Sequence, residues 1–241
     1  RWIYDKLKEN KEVNGNFYEN FIIFLEKMDK DLSLERLNNT TDLRKVFKEL
    51  TKDKNYKHEN ANLGEENIKN KLEEKLNNGT STEHYWFYKL EYLLWKEFKE
   101  KDKYFKVSKN KGDGGLEYPF GNFDYSKIKD TYRLTRKNSI EHIQAQSRAN
   151  EWKEVQDNEC SEKCNIDCFG NLTLISTHLN SSLLDKSFNE KRNLIANQLE
   201  RGTIESLKML LVYSKYDKWT PEECKTHHNE MIELLKNSLE N

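Results

Sequence analysis

Ser139-Ile140-Glu141-His142-Ile143-Gln144-Ala145-Gln146, followed after a gap by Phe169-Gly170-Asn171-Leu172-Thr173-Leu174-Ile175, decides how this chain is read. Both stretches are short, carry apolar residues that favour extended backbone, and are flanked by polar or glycine-containing turns, so each predicts a strand of four or five residues. Leu179-Asn180 comes next, and a helix is expected over about residues 185–200. The order is strand, loop, strand, helix, a small ββα unit. Tyr132-Arg133-Leu134, just upstream, also has a β-like composition.

Everything outside that unit reads as helix. Apolar residues recur at helical spacing in Phe17-Tyr18-Glu19-Asn20-Phe21-Ile22-Ile23-Phe24-Leu25 and again in residues 43–50. Asn77-Asn78-Gly79-Thr80-Ser81 is a loop leading into a helix expected over about residues 83–100, which gathers Trp86, Leu90, Leu93, Leu94 and Trp95 on a broad apolar face. Residues 109–118 hold Gly112, Gly114 and Gly115 and read as a flexible loop whose spacing fits no nucleotide motif. Helices are expected over about residues 204–213 and from Thr220-Pro221-Glu222-Glu223 onward, where Thr220 caps, Pro221 fits the first turn and Glu223 closes a capping box. The expected class is therefore α+β, predominantly α-helical, with a helical domain over residues 1–125 and a second domain over 126–241.

Composition narrows the function classes. Apolar residues make up 35% of the chain and charged residues 34%, so the surface is densely charged and much of the core must come from the 12 Tyr and 11 Phe. No apolar run approaches the roughly 20 residues that span a bilayer, and no signal segment is visible, so no membrane association and a soluble, cytoplasmic protein are expected. The net charge of −1 argues against a uniformly basic nucleic-acid binder. Local charge is uneven: residues 96–137 hold twelve Lys or Arg against seven Asp or Glu, whereas residues 217–241 hold three against six. The first residue is Arg1, and Trp2-Ile3-Tyr4 reads as the inside of an element, so the chain is expected to be a fragment with sequence preceding it.

Hydrolysis of a phosphodiester needs a base for water, a cation to neutralise charge on the phosphorane and leaving oxygen, and a scaffold that fixes both. Residues 140–180 offer candidates for each. Glu141 and His142 are adjacent on a strand, so their side chains leave opposite faces, one available to a metal and the other to a water. Gly170-Asn171 opens the second strand and Asn180 precedes the closing helix.

These residues, with Phe188-Asn189-Glu190-Lys191-Arg192, resemble the HNH or ββα-metal nucleases, and most closely the C-terminal nuclease domain of GmrSD-like, modification-dependent restriction and phage-defence proteins. Lys89-Leu90-Glu91-Tyr92-Leu93-Leu94-Trp95 and the Trp219-Thr220 helix start extend the likeness. The separation of nine positions between Asn171 and Asn180 is similar to that in the HNH domain of the RNA-guided CRISPR effector nuclease. The resemblance implies His142 as general base, Glu141 and Asn180 as ligands of a divalent metal (Mg2+, with Mn2+ as substitute), and Asn171 in the catalytic set as the residue holding the loop that carries His142. It further implies DNA as substrate, Gln146 and Lys191 as substrate contacts, and a setting in restriction or anti-phage defence with recognition left to an N-terminal sensor domain. Two departures stand out: Ala145 replaces the family's usual Pro, and the gap of 29 residues from His142 to Asn171 is long, though loops lengthen at small entropic cost.

Each candidate has a plainer reading. His142 could be a satisfied strand-end histidine, Glu141 an exposed carboxylate, and Asn180 the cap of the following helix, a role that competes for the same oxygen. His178, two residues before Asn180, is the substitute ligand, and Arg192 reads as surface. Cys160, Cys164 and Cys168 recur every four residues and could hold a structural Zn2+ with Cys224 or a histidine; this spacing is wider than the usual Cys-x-x-Cys knuckle, and the reading without zinc is preferred. At the level of function, the alternative is a nucleic-acid-binding or protein-interaction module that keeps the ββα fold without cleaving.

Overall fold

Among the described residues, extended structure is confined to two strands of four residues each, one half-buried and one fully buried. The computed structural model describes residues 16–38, 44, 65–101, 126–156 and 165–240. They fall into two compact units, Glu73–Leu235 and the remainder, Arg1–Leu72 with Lys236–Asn241.

In the smaller unit, α1 (Asn16–Leu37) covers the first helix expected from the sequence. Leu34 and Leu37 near its end are buried, as are Ile68 and Leu72 of α2 (Glu65–Leu76), while Ile22 and Ile23 remain more than half exposed or close to it. Lys71 Nζ donates to Asn38 Oδ1 at 2.9 Å. The helix read over residues 43–50 lies, apart from Arg44, outside the described residues, and so does the glycine loop at 109–118.

The larger unit is built around two helices and a hairpin-like pair of strands. α3 (His84–Lys101) buries Trp86, Phe87, Leu90 and Leu94. α4 (Ser126–Thr131) follows, and then β1 (Ser139–His142). A single 3-10 turn and α5 (Ala149–Gln156) lead away from β1. β2 (Leu172–Ile175) returns antiparallel to it, with Ser139 opposite Ile175 and His142 opposite Leu172. α6 (Thr177–Leu183) packs on β1, while α3 packs on β2 and on α8 (Leu207–Lys215). Between them α7 (Phe188–Arg201) opens with a full capping box, Ser187 with Glu190, and closes on Gly202 in the left-handed conformation. α9 (Pro221–Glu240) is the last described helix and belongs to this unit as far as Leu235.

Strand β2 is buried on every residue because α3 covers it. α8 is buried from Leu207 to Ser214, so a nine-residue helix with little polar face sits at the centre. Its start is satisfied from α3: Glu91, sealed from solvent, accepts from Leu207 N at 2.7 Å, Lys208 N at 3.2 Å and Ser206 Oγ at 2.5 Å, and from Tyr132 Oη at 2.7 Å. A carboxylate at a helix N-terminus satisfies orphan N–H groups and complements the dipole, which accounts for a glutamate inside an apolar face.

The result is an α+β protein, predominantly helical, with one two-stranded sheet among the described residues. One expectation fails: Tyr132-Arg133-Leu134 is not a strand. Tyr132 N closes α4 on Ile128 O at 2.9 Å and its hydroxyl turns to Glu91, so the backbone is taken by a helix end rather than a ladder. No described helix is long and apolar enough to cross a membrane.

Candidate active site

The end of β1 and the turn before β2 are bolted together by one side chain. Asn171, fully buried, accepts at Oδ1 from Gln144 N and from Trp219 Nε1, each at 2.8 Å. Its Nδ2 donates to Ile166 O at 2.7 Å and to Gln144 O at 3.2 Å, and its carbonyl accepts from Ile143 N at 2.8 Å. An amide can do this because it offers donors and acceptors in one plane. Gly170 beside it is needed for a different reason: an added Cβ would lie 2.6 Å from Cys224 O and 2.8 Å from His228 Cβ, so only glycine lets α9 approach this close.

His142 stands at the end of β1 with a side chain 11% exposed, and its Nε2 lies 2.7 Å from Asp167 Oδ1. Asp167 was not legible as a partner, because it sits in the long insert 25 residues away and no local pattern marks it. Gln146 is exposed and approaches the same Asp167 oxygen at 3.5 Å.

Glu141 leaves the opposite face of β1 and is 6% exposed. Its Oε1 is 2.6 Å from Lys191 Nζ, which also donates to His142 O at 2.7 Å. Lys191, expected among the substrate contacts, is instead sealed from solvent at 0% exposure with its amine spent inside the protein. Burial raises the Glu141 carboxyl above its ordinary value, and the Lys191 charge works against that rise. The Lys191 amine is lowered by burial and raised by Glu141 in return.

Asn180 reaches β1 from α6: its Nδ2 donates to Ser139 Oγ at 2.8 Å. Ser139 and Glu141 are two residues apart on the strand and so share a face. Asn180 lies within α6 and does not cap the helix that follows, α7, whose cap is Ser187; α6 is capped by Ser176, which accepts from Leu179 N and is itself held by Glu205. His178 is exposed and lines a shallow groove with Thr177, Ser181 and Ser182. Two residues apart on a helix, His178 and Asn180 face different ways. Arg192 is not a freely solvated side chain: it donates to Tyr216 O and its guanidinium stacks 4.9 Å from the Phe188 ring centre.

Behind β2, Lys208 is buried, donates to Phe169 O and Leu172 O, and sits 3.9 Å from the Phe169 ring centre; burial pushes its amine down to about 7. Cys168 and Cys224 are free thiols in contact, Sγ to Sγ 3.2 Å. The hydrogen bond between them is the main influence pulling the Cys168 thiol down, and His228 adds to it. Cys160 and Cys164 lie outside the described residues. Among the described residues, no three His, Cys, Asp or Glu side chains stand together in a metal-holding group.

All of these side chains lie within one matched stretch: residues 65–234 fit the family model of the C-terminal domain of GmrSD restriction endonucleases, GmrSD_C. The chain belongs to the GmrSD_C family. No match is found among curated proteins or solved structures. For a GmrSD_C domain the functional class is a restriction-type nuclease, and β1, the Asn171 clamp, α6 and α7 all fall inside the matched residues.

Proposed function

We propose that this GmrSD_C domain is an HNH-type endonuclease whose ββα-metal unit is β1, β2 and the α6–α7 segment, acting on DNA in restriction or anti-phage defence. The observation that carries this reading is the split across β1, with His142 on one face and, on the other, Glu141 two residues from the Ser139 that Asn180 holds, inside the family-matched residues. Glu141 and Asn180 would hold a divalent cation. Their donors are oxygens, which suits Mg2+, with Mn2+ as substitute, and Lys191 occupies only one carboxylate oxygen. The bound ion supplies charge neutralisation at the phosphorane and the leaving 3′ oxygen.

His142 takes the proton from the attacking water. Asn171 never meets the substrate; it holds Gln144 and Ile166 so that the His142 strand end and the following turn keep their places. Gln146 is exposed beside the histidine and is the substrate contact of this reading, while Lys191 orients Glu141 rather than binding phosphate. Recognition of a modification or trigger is assigned to a separate N-terminal sensor domain. Structural zinc has no part in it.

One observation favours the other reading, a binding module that does not cleave: Lys191 already compensates the charge of Glu141. The test separates them. Purified chain and a His142→Ala variant are incubated with plasmid DNA, with Mg2+, Mn2+ or chelator, and nicking and linearisation are followed. Loss of a general base costs roughly 10²- to 10⁴-fold in rate. Metal-dependent cutting that disappears in the variant supports the nuclease. DNA binding without cutting, insensitive to metal and to His142, supports the module.

A further inference from the structure

Asp167 Oδ1 lies 2.7 Å from His142 Nε2, within hydrogen-bond distance. A carboxylate in this position accepts and does not donate, so the imidazole proton belongs on Nε2. Nδ1 then carries the lone pair, and it makes no hydrogen bond among the described residues.

The placement of Asp167 is built from several directions. Its N–H donates to Asn165 Oδ1 at 2.9 Å, which closes the turn. Gly79 stands behind it with φ +53°, and a Cβ there would come within 3.2 Å of Asp167 Cβ. The preceding residue, Ile166, is tied by its carbonyl to Asn171, the same side chain that fixes Gln144 two residues beyond His142. One buried amide thus sets both halves of the histidine–aspartate contact.

We propose that Asp167 is the positioning residue of His142, holding the ring as the Nε2–H tautomer with Nδ1 free to act as base. This rests on the nuclease reading above. In the step it serves, Nδ1 takes a proton from water, the water oxygen forms a bond to phosphorus, the bond from phosphorus to the 3′ oxygen breaks, and the leaving oxygen takes a proton from solvent. The imidazolium formed is compensated by Asp167, whose side chain touches neither substrate nor reacting atoms. A carboxylate partner does the same for the base histidine of serine proteases, where a wrong tautomer is costly.

The test uses the full chain labelled with 15N. Imidazole 15N–1H spectra in alkaline buffer, assigned with His142→Ala, report which nitrogen carries the proton, and cleavage kinetics with saturating Mg2+ give kcat and KM separately. The Asp167 side chain is 42% exposed, so Asp167→Ala is expected to fold, which circular dichroism checks. The expected result is a protonated Nε2 in the parent chain, mixed tautomers in Asp167→Ala, and kcat lowered roughly 10- to 1000-fold with KM within about two-fold. An unchanged tautomer, or an unchanged kcat in an active enzyme, overturns the proposal. If neither protein cuts DNA the nuclease reading fails separately, and the tautomer comparison still decides whether Asp167 sets the histidine.

Discussion

Lys191 Nζ and Glu141 Oε1 are 2.6 Å apart, with side chains 0% and 8% exposed, so α7 neutralises a charge on β1. A buried pair of this kind contributes little net stability when intact, because desolvation offsets attraction, but removing one partner strands the other. Lys191→Met should therefore destabilise the domain by about 3–5 kcal/mol in urea unfolding. The double variant with Glu141→Gln should recover much of that loss. Equal stability of the single and double variants would show that the pair is not coupled.

The Asn171 clamp predicts a loss of both stability and activity from one substitution. Asn171→Ala leaves Gln144 N, Trp219 Nε1 and the Ile166 carbonyl without their partner, and each buried orphan costs about 1–3 kcal/mol. Thermal unfolding should fall by many degrees. Where the variant still folds, cleavage should fall further than the unfolded fraction explains, because the strand end carrying His142 loosens.

Gly170→Ala should be destabilised by a different route. The new methyl would overlap Cys224 O and His228 Cβ, both on α9, so the helix must retreat or the turn must shift. Overpacking of this kind costs about 1–3 kcal/mol, and backbone on one side makes the upper end the expectation. Denaturant titration gives the number; a neutral result would mean that α9 moves freely.

His227 predicts a pH dependence. Burial among Tyr216, Trp219 and nearby lysines pushes its imidazole well below the ordinary value of 6.5, and neither ring nitrogen has a hydrogen-bond partner among the described residues. The folded state therefore keeps the ring neutral while the unfolded chain protonates it below about pH 6.5. Stability must fall as pH drops below that value, by about 1.4 kcal/mol per unit for this group, and no such loss arises above it. Comparing unfolding free energies of the parent and His227→Phe between pH 5 and 8 isolates the effect, and parallel curves would rule it out.

The comparison of pattern with fold turns on the range of the forces involved. Leu172–Ile175 reads as a strand from its own residues and is one, and Thr220-Pro221 marks the start of α9, where Glu223 accepts from Thr220 N at 3.0 Å. Tyr132 misled because its β-like side chain is recruited by Glu91, 41 residues earlier. The short motifs around Glu141, His142, Asn171 and Asn180 could be picked out because, taken as a set, they resemble those of a nuclease family; any one alone would be weak.

By itself, then, the amino-acid sequence determined the helical majority, the two short strands, the start of α9 and the family to which the motifs point, since all of these depend on propensities and spacings within a few residues. Only the tertiary structure decided that Lys191 faces inward to Glu141, that Asp167 meets His142, and that Glu91 starts α8. Those pairings join residues 25 to 116 positions apart. They are set by which buried polar group can reach a partner once the core has closed, a condition on the packed chain that no local pattern encodes.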